Sequence, residues 1–320
     1  MSLLQPITVL GAGIAGLTTA VRLIEASYPV RILTKEPPEQ TTSAVAAAIW
    51  FPYEAEPVDK ANRWSAESFT EFVQLAGSPG TGVRMINFLV LTRSGMDNSW
   101  KDELPDGAVR PARPKELPTG YEMGYMATVP LAETQIYLPY LLKRFRKAGG
   151  ELMIQEVKDI TPLLKSGQIV VNCTGLGARE LFGDETVYPI RGQVVKVRKK
   201  GSVQSLVDSM DKGRLAYIIE RSDCIVLGGT DYDNDYNRKP TQADTDTILA
   251  RCRQLEQRLG APVVLQALAG LRPKRPAIRC EKEEGRNVFH NYGHGGAGFT
   301  VSWGCADEVR AAIILIARQQ

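Results

Sequence analysis

Ile7-Thr8-Val9-Leu10-Gly11-Ala12-Gly13-Ile14-Ala15-Gly16 is the stretch whose reading decides the fold. Its first four residues form a short, mainly apolar run that suits a fully buried parallel strand. Three glycines follow in G-x-G-x-x-G spacing. The first permits a tight turn, the second lets backbone approach a pyrophosphate, and the third lets helix and strand pack closely. Leu17, Ala20, Val21 and Ile24 then recur at i, i+3, i+4 and i+7, which predicts a helix with one apolar face. Val30-Arg31-Ile32-Leu33 reads as the next strand, completing a βαβ unit. A helix start carries free N–H groups and a positive dipole end, so it favours a phosphate. Gly11, Ala12, Gly13, Ile14 and Gly16 are therefore expected to bind a dinucleotide.

Such a site needs an acid about 20 residues further on, for the ribose hydroxyls. The second strand ends Leu33-Thr34-Lys35-Glu36, so Glu36 can serve, displaced by one position. Lys35 suits a 2′-phosphate instead, which leaves NADP open on these residues alone.

The surroundings are ordinary for a globular protein. Of 320 residues, 43% are hydrophobic and 23% charged, which argues against a disordered or fibrous chain. The net charge of +3 is spread out, and its densest basic run, Arg198-Lys199-Lys200, reads as a hairpin turn with no nucleic-acid partner. Cys173, Cys224, Cys252, Cys280 and Cys305 contain no CxxC pair and are odd in number, so a reducing compartment is expected. With His290 and His294 the only histidines, a multi-histidine metal site is not expected. No signal-peptide order precedes the first strand, the apolar stretch Ala311 to Ala317 is too short for a bilayer, and the ending Ala317-Arg318-Gln319-Gln320 is no peroxisomal address. The expectation is a cytoplasmic protein without a membrane partner, with a homodimer left open.

Further along, Thr41 to Ala48 is small and low in charge, fitting either a helix start or a loop pressed against something large. Ser78 to Gly120 is rich in Gly and Pro and predicts strands joined by loops. Leu131 to Ala148 reads as a helix interrupted near Pro139. Ile169 to Asn172 is another buried strand. Arg191 to Val197 and Leu215 to Ile219 alternate with period two, and Arg221-Ser222-Asp223 turns the chain into Cys224-Ile225-Val226-Leu227. Ile248, Cys252, Leu255 and Leu259 mark a helix stopped at Gly260 and Pro262, and Val309, Ala312, Ile313 and Ile316 mark the last one. A βαβ start, antiparallel strands later and a final helix define an α/β chain, a nucleotide domain with a sheet domain inserted into it.

Two further segments carry chemistry. Gly293-His294-Gly295-Gly296-Ala297-Gly298 precedes the last helix, so backbone can run flush against a flat ring at a positive helix end. Leu271-Arg272-Pro273-Lys274-Arg275-Pro276 holds basic residues between two prolines, which limit backbone freedom, and a fixed guanidinium suits gripping a carboxylate, although the same run also suits a basic surface loop.

GAGIAGL, TTSAVAAAIWFPY, VVNCTGLGAREL, RGQVVKV, AYII followed by LGGT, GLRPKRPAIR and NYGHGGAGFTVSWGCA stand in an order that resembles the D-amino-acid oxidase and D-aspartate oxidase family over nearly the whole chain. The resemblance implies FAD as cofactor. It implies a Rossmann-like FAD-binding domain of discontinuous segments (1–75, 140–185, 285–320) and an antiparallel-sheet substrate domain (76–139, 186–284). It assigns Arg272 to the substrate carboxylate, Tyr217 to its support, and the Gly296 carbonyl to the substrate ammonium. FAD contacts implied are Gly11, Gly13, Gly16, Thr42, Ser43, Ala47, Ala48, Val157 and Thr300, with Lys35, Glu36, Arg272, Gly295, Gly296 and Gly298 at the cofactor.

Two positions depart from the pattern. Lys35 stands where an acid is common, and Gly213 stands where vertebrate D-amino-acid oxidases carry a second active-site tyrosine. The short run Asp211-Lys212-Gly213-Arg214 puts a lid in doubt and predicts an open pocket for neutral or bulky D-amino acids, with oxygen as acceptor. A D-aspartate oxidase is the alternative, with Arg214 as the second cation. A nicotinamide-dependent dehydrogenase and a non-catalytic FAD-binding module are the other readings.

Overall fold

The computed structural model describes residues 6–51 and 55–317. Pro52 and Tyr53 of the TTSAVAAAIWFPY segment, and the chain end from Arg318, lie outside the described residues.

The opening motif forms as its pattern requires. Strand Ile7–Leu10 leads through the glycine turn into helix Ile14–Glu25 and on to strand Val30–Thr34. The strands run parallel with Ile7 opposite Val30 and Leu10 opposite Leu33, so both end at the same level. Leu17, Ala20 and Val21 are fully buried on the helix face turned to the sheet. Each large aliphatic side chain removed from water in this way contributes about 1.5–3 kcal/mol.

Among the described residues all strands but one lie on one continuous path. From one edge the order is Val109–Pro111, Met123–Ala132, Val83–Thr92, Ser205–Asp208, Ala216–Glu220, Ile225–Gly228, Tyr188–Val197, Val264–Lys282, Val288–His294, Val170–Asn172, Ile7–Leu10, Val30–Thr34 and Glu151–Ile154, while Tyr232–Asp233 pairs beside Tyr188–Val197. The last five strands on this path are parallel neighbours. Those before them pair antiparallel, except for Val83–Thr92 beside Ser205–Asp208. The 19-residue strand Val264–Lys282 joins the two regions, pairing first with Tyr188–Val197 and then with Val288–His294. It is an α/β fold on one mixed sheet.

Two local expectations are corrected. The chain from Leu131 is still strand through Ala132, and the helix is Thr134–Lys147, unbroken at Pro139. Proline removes one N–H and crowds the preceding turn, but Tyr137, Leu138, Leu141 and Phe145 are buried around it and hold the helix through that loss. Arg198-Lys199-Lys200 is not a hairpin turn. Strand Tyr188–Val197 pairs with Ile225–Gly228 and Val264–Lys282, so the basic run crosses to a more distant strand, and Lys199 pairs with Glu220 at 2.9 Å. Among the described residues no helix is long and apolar enough to cross a membrane, and no cluster of three or more His, Cys, Asp or Glu could hold a metal.

Candidate active site

A cavity of about 860 Å³ is lined both by residues at the ends of the parallel strands and by residues of the antiparallel region. That is the size of a site that encloses a large organic ligand.

Its first end is built by the glycine loop. Gly11 has φ +99°, and a Cβ there would stand 2.6 Å from the Cys173 carbonyl oxygen. A Cβ on Gly13 would lie 3.1 Å from Ser43 Oγ, while Ile14 N–H donates to that same Oγ at 2.9 Å. Glycine leaves this cradle open to a ligand at a helix N-terminus, the arrangement that receives phosphate. Gly16 does not face the cavity. Its missing side chain lets the helix sit against the Gly11 carbonyl, the packing role of the third glycine.

Lys35 and Glu36 line the cavity just past strand Val30–Thr34, and each is paired. Lys35 meets Glu156 at 2.8 Å, and Glu36 meets Arg238 at 2.9 Å. The glutamate raises the Lys35 pKa, so this lysine stays charged. Ala12, Thr42, Ala47, Ala48 and Val157 also face the cavity. The segment from Thr41 is a short helix, Thr42–Val45, followed by irregular chain that lines the cavity. Asn172 shapes the opposing loop, its Oδ1 accepting from Thr174 N–H at 3.1 Å and Thr174 Oγ1 at 2.7 Å.

The far end holds Arg272 and Tyr217. Arg272 Nη1 donates to the Thr230 carbonyl at 2.9 Å, and its guanidinium lies across Gly192 on the neighbouring strand, where any Cβ would collide with it. The Tyr217 ring lies over Gly228, its partner across the strand pair, and over Gly229. Burial raises the Tyr217 pKa against the lowering effect of Arg272, so the hydroxyl stays protonated and can donate. Phe51, Phe88, Val194, Val207, Leu215 and Ile219 make the adjoining wall apolar.

Gly295, Gly296 and Gly298 line the cavity beside His294. Thr300 does not. It is buried with its hydroxyl accepting from Phe51 N–H at 3.1 Å and donating to the Phe51 carbonyl at 2.9 Å, which fixes the backbone of a wall residue. His294 contacts Asn291 Oδ1 at 2.9 Å, and burial pushes its pKa down to about 4. Burial pushes the Cys173 thiol up to about 12. Both groups are therefore neutral near pH 7, and neither is an activated base or nucleophile.

The structure thus brings Gly11, Ala12, Gly13, Ile14, Lys35, Glu36, Thr42, Ser43, Ala47, Ala48, Val157, Tyr217, Arg272, Gly295, Gly296 and Gly298 to one cavity, and leaves Gly16 and Thr300 behind its wall. Sequence reasoning missed Arg179, Tyr236 and Arg238, which also line it. Arg179 stood inside a quoted motif, whereas Tyr236 and Arg238 carry no local signal. Arg214 is exposed and outside the cavity wall.

A dinucleotide cradle continuous with a cation-bearing, apolar-walled pocket defines a nucleotide-cofactor oxidoreductase. The chain belongs to the FAD dependent oxidoreductase family, whose model matches residues 6–312. It is 45% identical to a D-amino-acid oxidase of Rubrobacter xylanophilus over 95% of this chain and 94% of that protein. It is 41% identical to a D-amino-acid oxidase of Streptomyces coelicolor over 94% of each. A glycine oxidase crystal structure from Bacillus cereus superposes with TM-score 0.82 over 96% of both chains at 18% identity, which speaks for the fold alone. FAD is the cofactor this family uses, and the open glycine cradle fits it.

Proposed function

We propose that this protein is a D-amino-acid oxidase. It converts a D-amino acid, oxygen and water into a 2-oxo acid, ammonia and hydrogen peroxide, favouring neutral or bulky side chains. The observation that carries the reading is Arg272, seated over Gly192 with Tyr217 beside it, at the apolar end of the cavity that begins in the glycine cradle. The full-length likeness to two enzymes of that name supports it.

Bound FAD supplies a two-electron acceptor for the hydride on the substrate α-carbon. The protein's own residues supply orientation. Arg272 grips the carboxylate with two N–H groups and Tyr217 O–H adds a third donor. The Gly296 carbonyl accepts from the amine. With carboxylate, amine and side chain all placed, one enantiomer alone would turn its Cα–H to the side of the cavity where FAD would be held. The amine reacts in its neutral form, and no side chain need act as base: burial leaves His294 only a weak base and keeps the Cys173 thiol and the Tyr217 hydroxyl protonated.

The same reading divides the chain into a FAD-binding domain (1–75, 140–185, 285–320) and a substrate domain (76–139, 186–284). It is supported by the five parallel strands, which all fall in the first set. Residence in the cytoplasm is supported by five cysteines buried as free thiols.

A peroxide-coupled screen of purified protein against D- and L-amino acids tests the proposal. Peroxide from neutral D-amino acids and none from their L-forms is expected. Peroxide from no D-amino acid refutes it.

A further inference from the structure

Arg221 is a buried cation that the reaction as described does not use. It follows strand Ala216–Glu220 and is 1% exposed. Among the described residues no carboxylate is within salt-bridge distance of it, and its Nε has no hydrogen-bond partner. Glu133 and Asp223 act on it only at longer range. A buried charge without a paired counter-ion is costly, so the hydrogen bonds it makes are what hold it there.

Its hydrogen bonds show where it acts. One nitrogen, Nη2, donates to the Ala46 carbonyl at 2.8 Å and the Ala47 carbonyl at 3.1 Å. The other, Nη1, is held by Thr134 Oγ1 at 3.3 Å and Gln135 Oε1 at 3.2 Å, at the first turn of helix Thr134–Lys147. Ala46, Ala47 and Ala48 all line the cavity that holds both the glycine cradle and Arg272. Both peptide bonds here are trans, so each N–H points opposite to the carbonyl it shares a plane with. Carbonyls of Ala46 and Ala47 turned toward Arg221 therefore turn the N–H groups of Ala47 and Ala48, two cavity-lining residues, away from it. Among the described residues neither N–H has a backbone acceptor. Ala48 also has φ +58°, a left-handed conformation that a non-glycine residue keeps only where its surroundings impose it.

We propose that Arg221 is a positioning residue for the cofactor. It fixes two backbone donors on the cavity wall and places behind them a positive charge that has no direct salt-bridge partner. The inference rests on FAD occupying this cavity. Donors and positive charge at that wall favour a ligand that gains electrons, so Arg221 raises both FAD affinity and the tendency of bound FAD to be reduced.

The test compares Arg221→Met and Arg221→Lys with the wild type. FAD dissociation constants of the apoproteins, the two-electron potential of bound FAD and steady-state kinetics are measured. In Arg221→Met, FAD binding weakens on the order of tenfold or more, as expected for lost charged hydrogen bonds. The potential falls by about 30 mV for each tenfold loss of preference for reduced over oxidised FAD. The substrate KM, set by Arg272 and Tyr217, changes little while kcat falls. Arg221→Lys keeps the charge but lacks the planar fork, so FAD binding weakens while the potential stays near wild type. Unchanged FAD affinity and potential in folded Arg221→Met overturns the inference. If that variant does not fold, unchanged FAD affinity in Arg221→Lys overturns it. If neither folds, Arg221 serves the fold alone and the inference also fails. Wild-type protein that takes up no FAD refutes the cofactor reading instead.

Discussion

The Arg272 guanidinium occupies the space that a side chain on residue 192 would fill. Gly192 and Arg272 sit on adjacent strands, Gly192 opposite Gly270 and Arg272 opposite Ile190. The absent side chain lets the cation lie flat on the sheet, where Thr230 holds one nitrogen. A methyl group at 192 collides with the far end of a flexible side chain and not with backbone. Gly192→Ala should therefore fold and retain FAD, while Arg272 moves off its seat. A displacement near 1 Å costs on the order of 100-fold in rate. Steady-state kinetics beside a melting curve check this: lost kcat/KM with retained Tm is expected.

Arg272→Leu goes further and removes the charge. Losing one partner of a desolvated, hydrogen-bonded charge pair costs about 2–5 kcal/mol, so kcat/KM falls at least roughly 30-fold. The yellow flavin spectrum persists, because the glycine cradle lies at the other end of the cavity. Near-normal kcat/KM would show that another residue holds the carboxylate.

The βαβ unit was legible because strand, turn and helix follow from neighbours in the chain. The glycine-rich segments and Arg272 were legible through motifs. The partners of Lys35 and Glu36 were not, since Glu156 and Arg238 lie in distant segments and surface pairing leaves no pattern. Arg198 to Lys200 was misread because a hairpin and a longer crossing look alike when the pairing strand is unknown. Gly16 shows the packing role that the third glycine of the motif was given, whereas Thr300 was placed at the cofactor from a motif that does not say which of its residues face the ligand and which support those that do.

Acid stability carries a second consequence of burial. His290 and His294 are each pushed down to about 4 in the folded protein, against about 6.5 when exposed. Between these values the unfolded chain binds more protons than the folded one. Stability is therefore full above about pH 6.5 and is lost as pH falls toward 4. Asp184 and Glu116, held near 2, add their loss only at lower pH. Tm of the holoenzyme should drop between pH 7 and 4.5, and His294→Gln should flatten that drop. A variant with the wild-type slope would show that other groups set it.

The turn between strands Ser205–Asp208 and Ala216–Glu220 bears on which substrates fit. Asp208 pairs with Ala216, and the residues between are tied down on the outside. Asp211 meets Arg93 at 2.7 Å, Lys212 pairs with Asp233, and Gly213 N–H donates to Asp231 at 3.1 Å. Gly213 carries no side chain to close over the pocket, and Arg214 is exposed away from the cavity wall. The side-chain end of the cavity is instead faced by Phe51, Phe88, Val207, Leu215 and Ile219. An acidic substrate side chain would lose its hydration there without gaining a partner, a cost of several kcal/mol for an unpaired charge. A neutral or bulky one would gain roughly 25 cal/mol per Å² of buried apolar area. D-phenylalanine or D-methionine should therefore exceed D-aspartate in kcat/KM by well over tenfold, and Arg214→Ala should leave that order intact. A strong D-aspartate preference that collapses in Arg214→Ala would mean that the turn rearranges inward and that the pocket is built for an acid.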